Sequence, residues 1–183
     1  MDYGAKFGDG LSYEDFLAKH GSDTDHRRWD DFHAQVSLSD EQKSLLGSFV
    51  RDMQVLVMAG AWCGDCVNQC PIFDHFAQAT DKIQLRFFDR DDNPDLTAAL
   101  QTCGAPRVPA VVFLAEDGAF CGRAGDRTLS KYRQMASSLT GAACSTGIGD
   151  SLTDAVVQDW LNEFERIQWM LRTSGRLRQL HGD

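Results

Sequence analysis

Two cysteines three positions apart, in Cys63-Gly64-Asp65-Cys66, have the spacing of a dithiol that can close into a disulfide and reopen. Only a thiolate attacks a disulfide, so the first cysteine must lose its proton more readily than a free thiol of pKa about 8.5. The flanks supply a means: an apolar run, Met53 to Ala59, precedes the pair, and helical spacing from Val67 to Thr80 follows it. That context sets Cys63 at a helix N-terminus, where free N–H groups and the positive end of the helix dipole favour an anion. Cys63 is therefore the candidate attacking thiol and Cys66, one turn inside, the resolving thiol. Gly64 is expected to keep the turn small. Trp62 is expected to shield one side of the sulfur and to give a substrate a flat surface. Asp65 sets a carboxylate beside Cys63 and is expected to oppose thiolate formation. Cys70, four residues past Cys66, falls on the same helix face; it is either a third redox thiol or, as expected of such a cysteine, a small buried apolar side chain.

Other chemistries are weaker in the pattern. A structural zinc site needs a second ligand pair, but Cys70, Cys103, Cys121 and Cys144 form no further C-x-x-C, and the one H-x5-H pair, His20 and His26, lies far upstream in a polar stretch. No metal site is expected. Asp89-x-Asp91-x-Asn93-x-Asp95 has the alternate oxygens of a calcium loop, yet Pro94 stands where glycine is needed and Leu100 where the bidentate glutamate is needed. It reads instead as an acidic helix start. His75, nine residues past Cys66, falls on the opposite helix face. His20, His26 and His33 lie in a polar stretch and are expected to be solvated. Cys121 is expected in the core and Cys144 in an exposed linker.

The elements around the dithiol follow from period and punctuation. Residues 1–38 read as a helical extension, with Tyr13, Phe16 and Leu17 on one face and a second short helix within His26 to Val36. Ser39 and Gln42 have capping-box spacing and start a helix that turns Leu45, Leu46 and Phe49 inward. The Met53–Ala59 run, unbroken and rich in valine, suits a buried central strand. Ile83 to Asp89 and Pro109 to Ala115 read as further strands, and Glu116-Asp117-Gly118 as a hairpin turn into a fourth, Ala119 to Ala124. Helices are expected from Asn93-Pro94 to about Thr102, from Leu129 to Leu139 and, amphipathic, from Leu152 to Leu171. The fold class is α/β: a mixed four- to five-stranded sheet flanked by helices. The organisation is an N-terminal helical extension (1–38), a central domain (39–140), and a linker with a C-terminal amphipathic helix packed on that domain (141–183).

Ala61-Trp62-Cys63-Gly64-Asp65-Cys66, with Pro71 further along the helix, resembles the active-site segment of the thioredoxin-like superfamily. The resemblance continues through Asn93-Pro94, Gly104 and Arg107-Val108-Pro109-Ala110, and covers about residues 50–140. With its helical N-terminal extension and added C-terminal helix, the chain looks like a bacterial subgroup of thioredoxin family proteins. It implies a thioredoxin fold in which Pro109 is a cis-proline beside the dithiol. It also implies that Pro71 kinks the helix and that the backbone of Val108 pairs with an extended substrate. Trp62, Val108 and Pro109 are thus the expected substrate-binding residues. The chain departs from the family in three ways: Asp65 replaces the proline between the cysteines, Val57 and Phe87 occupy the positions of the family's buried Asp and Lys, and Cys70 stands where its kin carry alanine.

Composition narrows the class. An apolar fraction of 43% with 25% charged residues is that of a globular chain able to bury a core, so the six cysteines are not needed as a framework. A net charge of −9 disfavours nucleic acid and anionic membrane surfaces as partners. The first twenty residues carry six charged side chains and no signal-like apolar stretch, so a reducing, cytoplasmic setting is expected. The function read from these features is thiol–disulfide oxidoreduction on a disulfide-containing protein or small thiol substrate. It calls for no cofactor and for an electron-donating reductase as partner. Two alternatives stay open: a non-catalytic partner-binding module on the same fold, and a protein holding a metal or cluster on cysteine ligands.

Overall fold

The computed structural model describes residues 1–140 and 152–183. Four short helices come first: α1 (Tyr3–Phe7), α2 (Tyr13–His20), α3 (Asp23–His33) and α4 (Asp40–Gly47). Serine starts three of them. Ser12, Ser22 and Ser39 each accept a backbone N–H of the first turn, and Ser22 and Ser39 form full capping boxes with Asp25 and Gln42. Then follow β1 (Met53–Ala59), α5 (Gly64–Val67), α6 (Cys70–Gln78), β2 (Ile83–Asp89), α7 (Pro94–Ala99), β3 (Ala110–Ala115), β4 (Phe120–Gly125), α8 (Leu129–Thr140), α9 (Leu152–Thr173) and α10 (Gly175–His181).

The described strands form one sheet in the order β2-β1-β3-β4, which takes the lower of the two expected strand counts. β1 pairs parallel with β2 and antiparallel with β3, and β3 pairs antiparallel with β4. The parallel pair needs a crossover, and α5 and α6 make it. β1 and β3 are buried almost throughout, as expected of inner strands bare of alternation, whereas β4 is half-exposed.

The first 38 residues are more closely built into the core than their polar composition suggests. Leu11 exchanges two backbone hydrogen bonds with Phe87, at 2.9 and 2.8 Å, which occupies the open edge of β2. Phe16 and Trp29 are fully buried, and Phe16 and Tyr13 pack their rings on Phe87. Two histidines there are not solvated, contrary to expectation. The His20 side chain is 14% exposed beside Asp89, and His33 meets Asp74 at 2.9 Å while stacking on His75 at 4.1 Å. His20 is drawn in because α2 packs on β2, and His33 because α3 packs on α6.

The helix after the dithiol is not the single one that its spacing predicts. It breaks between Val67 and Cys70, with Gln69 at φ −133°. Pro71 lacks the N–H that would continue the first segment, so it sits in the first turn of a new helix. The helix expected to reach Thr102 ends at Ala99, and the acidic run before it binds its own backbone: Asp89 Oδ1 accepts the N–H groups of Asp91 and Asp92 at 2.8 and 3.2 Å.

The long helix α9 lays its apolar stripe on the core. Phe164 is fully buried against Phe73 and Phe76 of α6 and Phe113 of β3, and Trp160 meets Phe73 edge-on at 4.6 Å. The linker before it, Gly141 to Gly149 with Cys144, lies outside the described residues. No described helix is long and apolar enough to cross a membrane. Phe164→Ala is expected to lower the unfolding free energy by about 3–5 kcal/mol, because the three aromatic partners cannot collapse into the space. Urea unfolding followed by tryptophan fluorescence measures it.

Candidate active site

β1 delivers the chain to the dithiol. Cys63 is the N-cap of α5, at φ −79° and ψ 124°; its N–H donates to the Gly60 carbonyl at 3.0 Å, and its own carbonyl accepts the Val67 N–H at 3.0 Å. The half-buried Cys63 thiol donates to the Val108 carbonyl at 3.6 Å, so the segment entering β3 closes one side of the site. The Val108–Pro109 peptide bond is cis. Trp62 is 48% exposed, with the Arg90 guanidinium 4.6 Å from its ring centroid. At position 60 a Cβ would come within 2.8 Å of the Trp62 indole, so a larger residue there would displace that ring. At position 64 a Cβ would meet only the tip of Arg28, at 3.6 Å. Packing therefore does not demand glycine between the cysteines, contrary to the reading of Gly64 as the residue that keeps the turn small.

The electrostatics of the dithiol run against the expectation of a lowered Cys63 pKa. A side-chain hydrogen bond shared with Cys66 and partial burial push the Cys63 thiol up. The N–H groups of Cys66 and Asp65 pull it down, as a helix start should, but more weakly. Cys66 is fully buried, and that burial pushes its thiol well up, with Cys70 adding to the rise and Cys63 opposing it. Cys70 is itself fully buried at the head of α6.

The Asp65 carboxylate is paired with an arginine. Its Oδ2 accepts a hydrogen bond from Arg127 Nη2 at 2.5 Å, and Arg127 Nη1 reaches Asp126 Oδ2 at 3.1 Å. Asp126 is 1% exposed and also receives the Tyr132 hydroxyl and, at 3.4 Å, the Arg107 guanidinium. Gln69, equally buried, donates to the Asp65 and Asp126 carbonyls at 3.1 and 3.0 Å and accepts Trp160 Nε1 from α9 at 2.9 Å. Gly125 makes the close approach possible: at φ +106°, a Cβ there would lie 2.3 Å from the Pro109 carbonyl oxygen.

On the other side α3 braces the loop. Trp29 Nε1 donates to the Ala61 carbonyl at 2.8 Å, and Arg28 Nη1 to the Trp62 carbonyl at 3.4 Å. In the interior, Val57 and Phe87 are fully buried and apolar. The Tyr13 hydroxyl is buried beside them without a hydrogen-bond partner among the described residues, and burial pushes its pKa up. Among the described residues no group of three or more His, Cys, Asp or Glu side chains is arranged to hold a metal ion.

Compared with known families, residues 10–137 match the profile described as Thioredoxin. The chain belongs to the thioredoxin family. Two solved structures share its architecture over nearly the whole length. A protein of unknown function from Pseudomonas aeruginosa is 18% identical, with a TM-score of 0.72 over 91% of this chain and 96% of its own. An HIV 4E10 epitope scaffold is 19% identical, with a TM-score of 0.70 over 91% and 97%. At such identity the likeness is one of fold, and it includes both terminal additions. None of the curated proteins matches the chain.

Of the residues singled out in the sequence, Cys63 meets Cys66 and the Val108 carbonyl with Pro109 next in the chain, and Cys70 meets Cys66, while the Trp62 ring lies under Arg90 and Asp65 pairs with Arg127. Cys103 is exposed and Cys121 half-buried, and both belong to elements other than the dithiol loop. Sequence reasoning missed Arg127, Asp126, Gln69, Trp29 and Arg28. No spacing rule joins Asp65 to Arg127 across 62 positions; the one local sign was Gly125 beside a charged pair at the end of a strand. Removing the chief cause of the raised Cys63 pKa is expected to lower it. In Cys66→Ala, iodoacetamide labelling of Cys63 at pH 7 should therefore speed up by about tenfold per unit of pKa lost. In the unaltered protein labelling should climb mainly as pH rises past the ordinary thiol value of about 8.5.

Proposed function

We propose that the protein is a thiol–disulfide oxidoreductase acting on disulfide-bearing proteins or small disulfides. The observation that carries it is the pairing of a half-buried Cys63 at a helix N-cap with a buried Cys66 one turn on, beneath the cis-proline segment that accepts the Cys63 thiol. The Cys63 thiolate attacks one sulfur of the substrate disulfide, forming a mixed disulfide and releasing the other sulfur as a thiolate that takes up a proton. Cys66 then gives up its proton and attacks the Cys63 sulfur. The mixed disulfide breaks, the second substrate thiol leaves, and Cys63–Cys66 is left oxidised by two electrons. A reductase or thiol pool must return those electrons, which suits a reducing compartment such as the cytoplasm. Trp62 offers an exposed flat face and Val108 a backbone against which an extended substrate can lie.

The elevated thiols favour a second reading, a binding module of the same fold that holds a partner on the Trp62–Pro109 surface without turnover. Reduction of insulin by dithiothreitol-coupled turnover separates the two. Cys63→Ser is expected to fall to the uncatalysed background, and Cys66→Ser to accumulate a mixed disulfide visible by mass spectrometry. Equal rates for the wild type and Cys63→Ser would overturn the enzyme reading. Metal content on the same preparation tests the cysteine-ligated alternative, for which stoichiometric zinc or iron lost in Cys66→Ser would be the mark.

A further inference from the structure

We propose that Arg127 is a positioning residue for the dithiol: anchored on buried Asp126, it pairs with Asp65 and cancels the carboxylate that the sequence sets beside Cys63. The inference rests on reading Cys63 as the attacking thiol. A carboxylate two residues from a nucleophilic sulfur raises the cost of forming the thiolate, so Asp65 looks like a defect in the loop. The structure supplies the remedy from the far end of the sheet.

The geometry is that of a held pair. Arg127 Nη2 donates to Asp65 Oδ2 at 2.5 Å, with side-chain exposures of only 17% and 21%, so solvent screens the contact little. The arginine is not free to swing away. Its other terminal nitrogen is fixed at 3.1 Å to Asp126, whose side chain is 2% exposed, and Tyr132 and Arg107 hold the remaining faces of that carboxylate. Gln69 clamps the two backbones, of Asp65 and Asp126, to one side-chain amide. A loop with no catalytic group of its own thus carries a fixed positive charge to the one acidic residue inside the dithiol motif.

The charged and titratable groups on the elements around the dithiol loop are few. Cys66 lies on the helix that Cys63 caps, the Asp65–Arg127 pair joins that helix to the loop after β4, Arg28 approaches from α3, Arg90 lies over Trp62, and Arg107 precedes the cis-proline. The chief influences on the thiol are the side-chain hydrogen bond with Cys66 and partial burial, opposed by two backbone N–H groups. Loss of Arg127 would uncover the Asp65 carboxylate.

The test is the pH profile of iodoacetamide labelling at Cys63, read from the Cys63 peptide by mass spectrometry in the reduced full-length chain. Arg127→Met should slow labelling at pH 7 by about fivefold and move the profile to higher pH. Asp65→Asn/Arg127→Met should return to within about twofold of the wild type, because the exposed carboxylate is then gone. Arg127→Gln keeps a hydrogen bond to Asp126 while losing the charge; it carries the same expectation and replaces Arg127→Met should that variant unfold, which labelling of buried Cys66 and Cys70 would reveal. An unchanged profile in both single variants, or a double variant as slow as Arg127→Met, would overturn the proposal. Labelling needs no disulfide substrate, so failure here and failure of insulin reduction are read separately.

Discussion

A buried amide ties the working end of this molecule together. Gln69 is 3% exposed, yet it carries two N–H donors and a carbonyl that cannot be left bare in the interior. It satisfies them on three separate parts of the chain: the dithiol turn through the Asp65 carbonyl, the loop after β4 through the Asp126 carbonyl, and the C-terminal helix through Trp160. The same residue sits in the break between α5 and α6, where the backbone leaves helical geometry. The broken helix, the placement of Arg127 and the docking of α9 all meet at that side chain. Its loss would leave several buried polar groups unpaired at once, each costing about 1–3 kcal/mol.

The N-terminal helices act on the other flank by a different means. Leu11 occupies the edge of β2, and Tyr13, Phe16 and Trp29 fill the space around Phe87. That space is apolar where the family resemblance places a charged pair. Taking the dithiol reading as given, a proton leaving Cys66 has no buried Asp–Lys pair to receive it. The thiols are raised as well: the hydrogen bond with Cys66 holds up Cys63 and burial holds up Cys66, which keeps the sulfurs protonated until the pH, or a substrate, changes the balance.

The thioredoxin architecture was legible from the chain because its signals are local. Met53 to Ala59 is apolar without alternation, which only a strand buried on both faces tolerates. Ser39 with Gln42 marks a helix start wherever it occurs, and a C-x-x-C between strand and helix has few other uses. The helix after the dithiol departs from its period because Pro71 has no N–H to continue the first segment, and because buried Gln69 acts through long-range partners that periodicity does not contain. The histidines His20 and His33 were misread for the same reason: a polar segment was judged by composition, while its burial is decided by the few aromatic residues that anchor it.

By itself, then, the sequence determined the strands, most helix starts and the identity of the dithiol, since each depends on residues within a turn or two of one another. Tertiary structure alone decided the company that dithiol keeps. Whether Asp65 burdens Cys63 depends on an arginine 62 positions away, and whether the thiols ionise depends on their mutual hydrogen bond and on how deeply the fold buries them. Coulomb and burial effects act through space, and distance along the chain carries no measure of either.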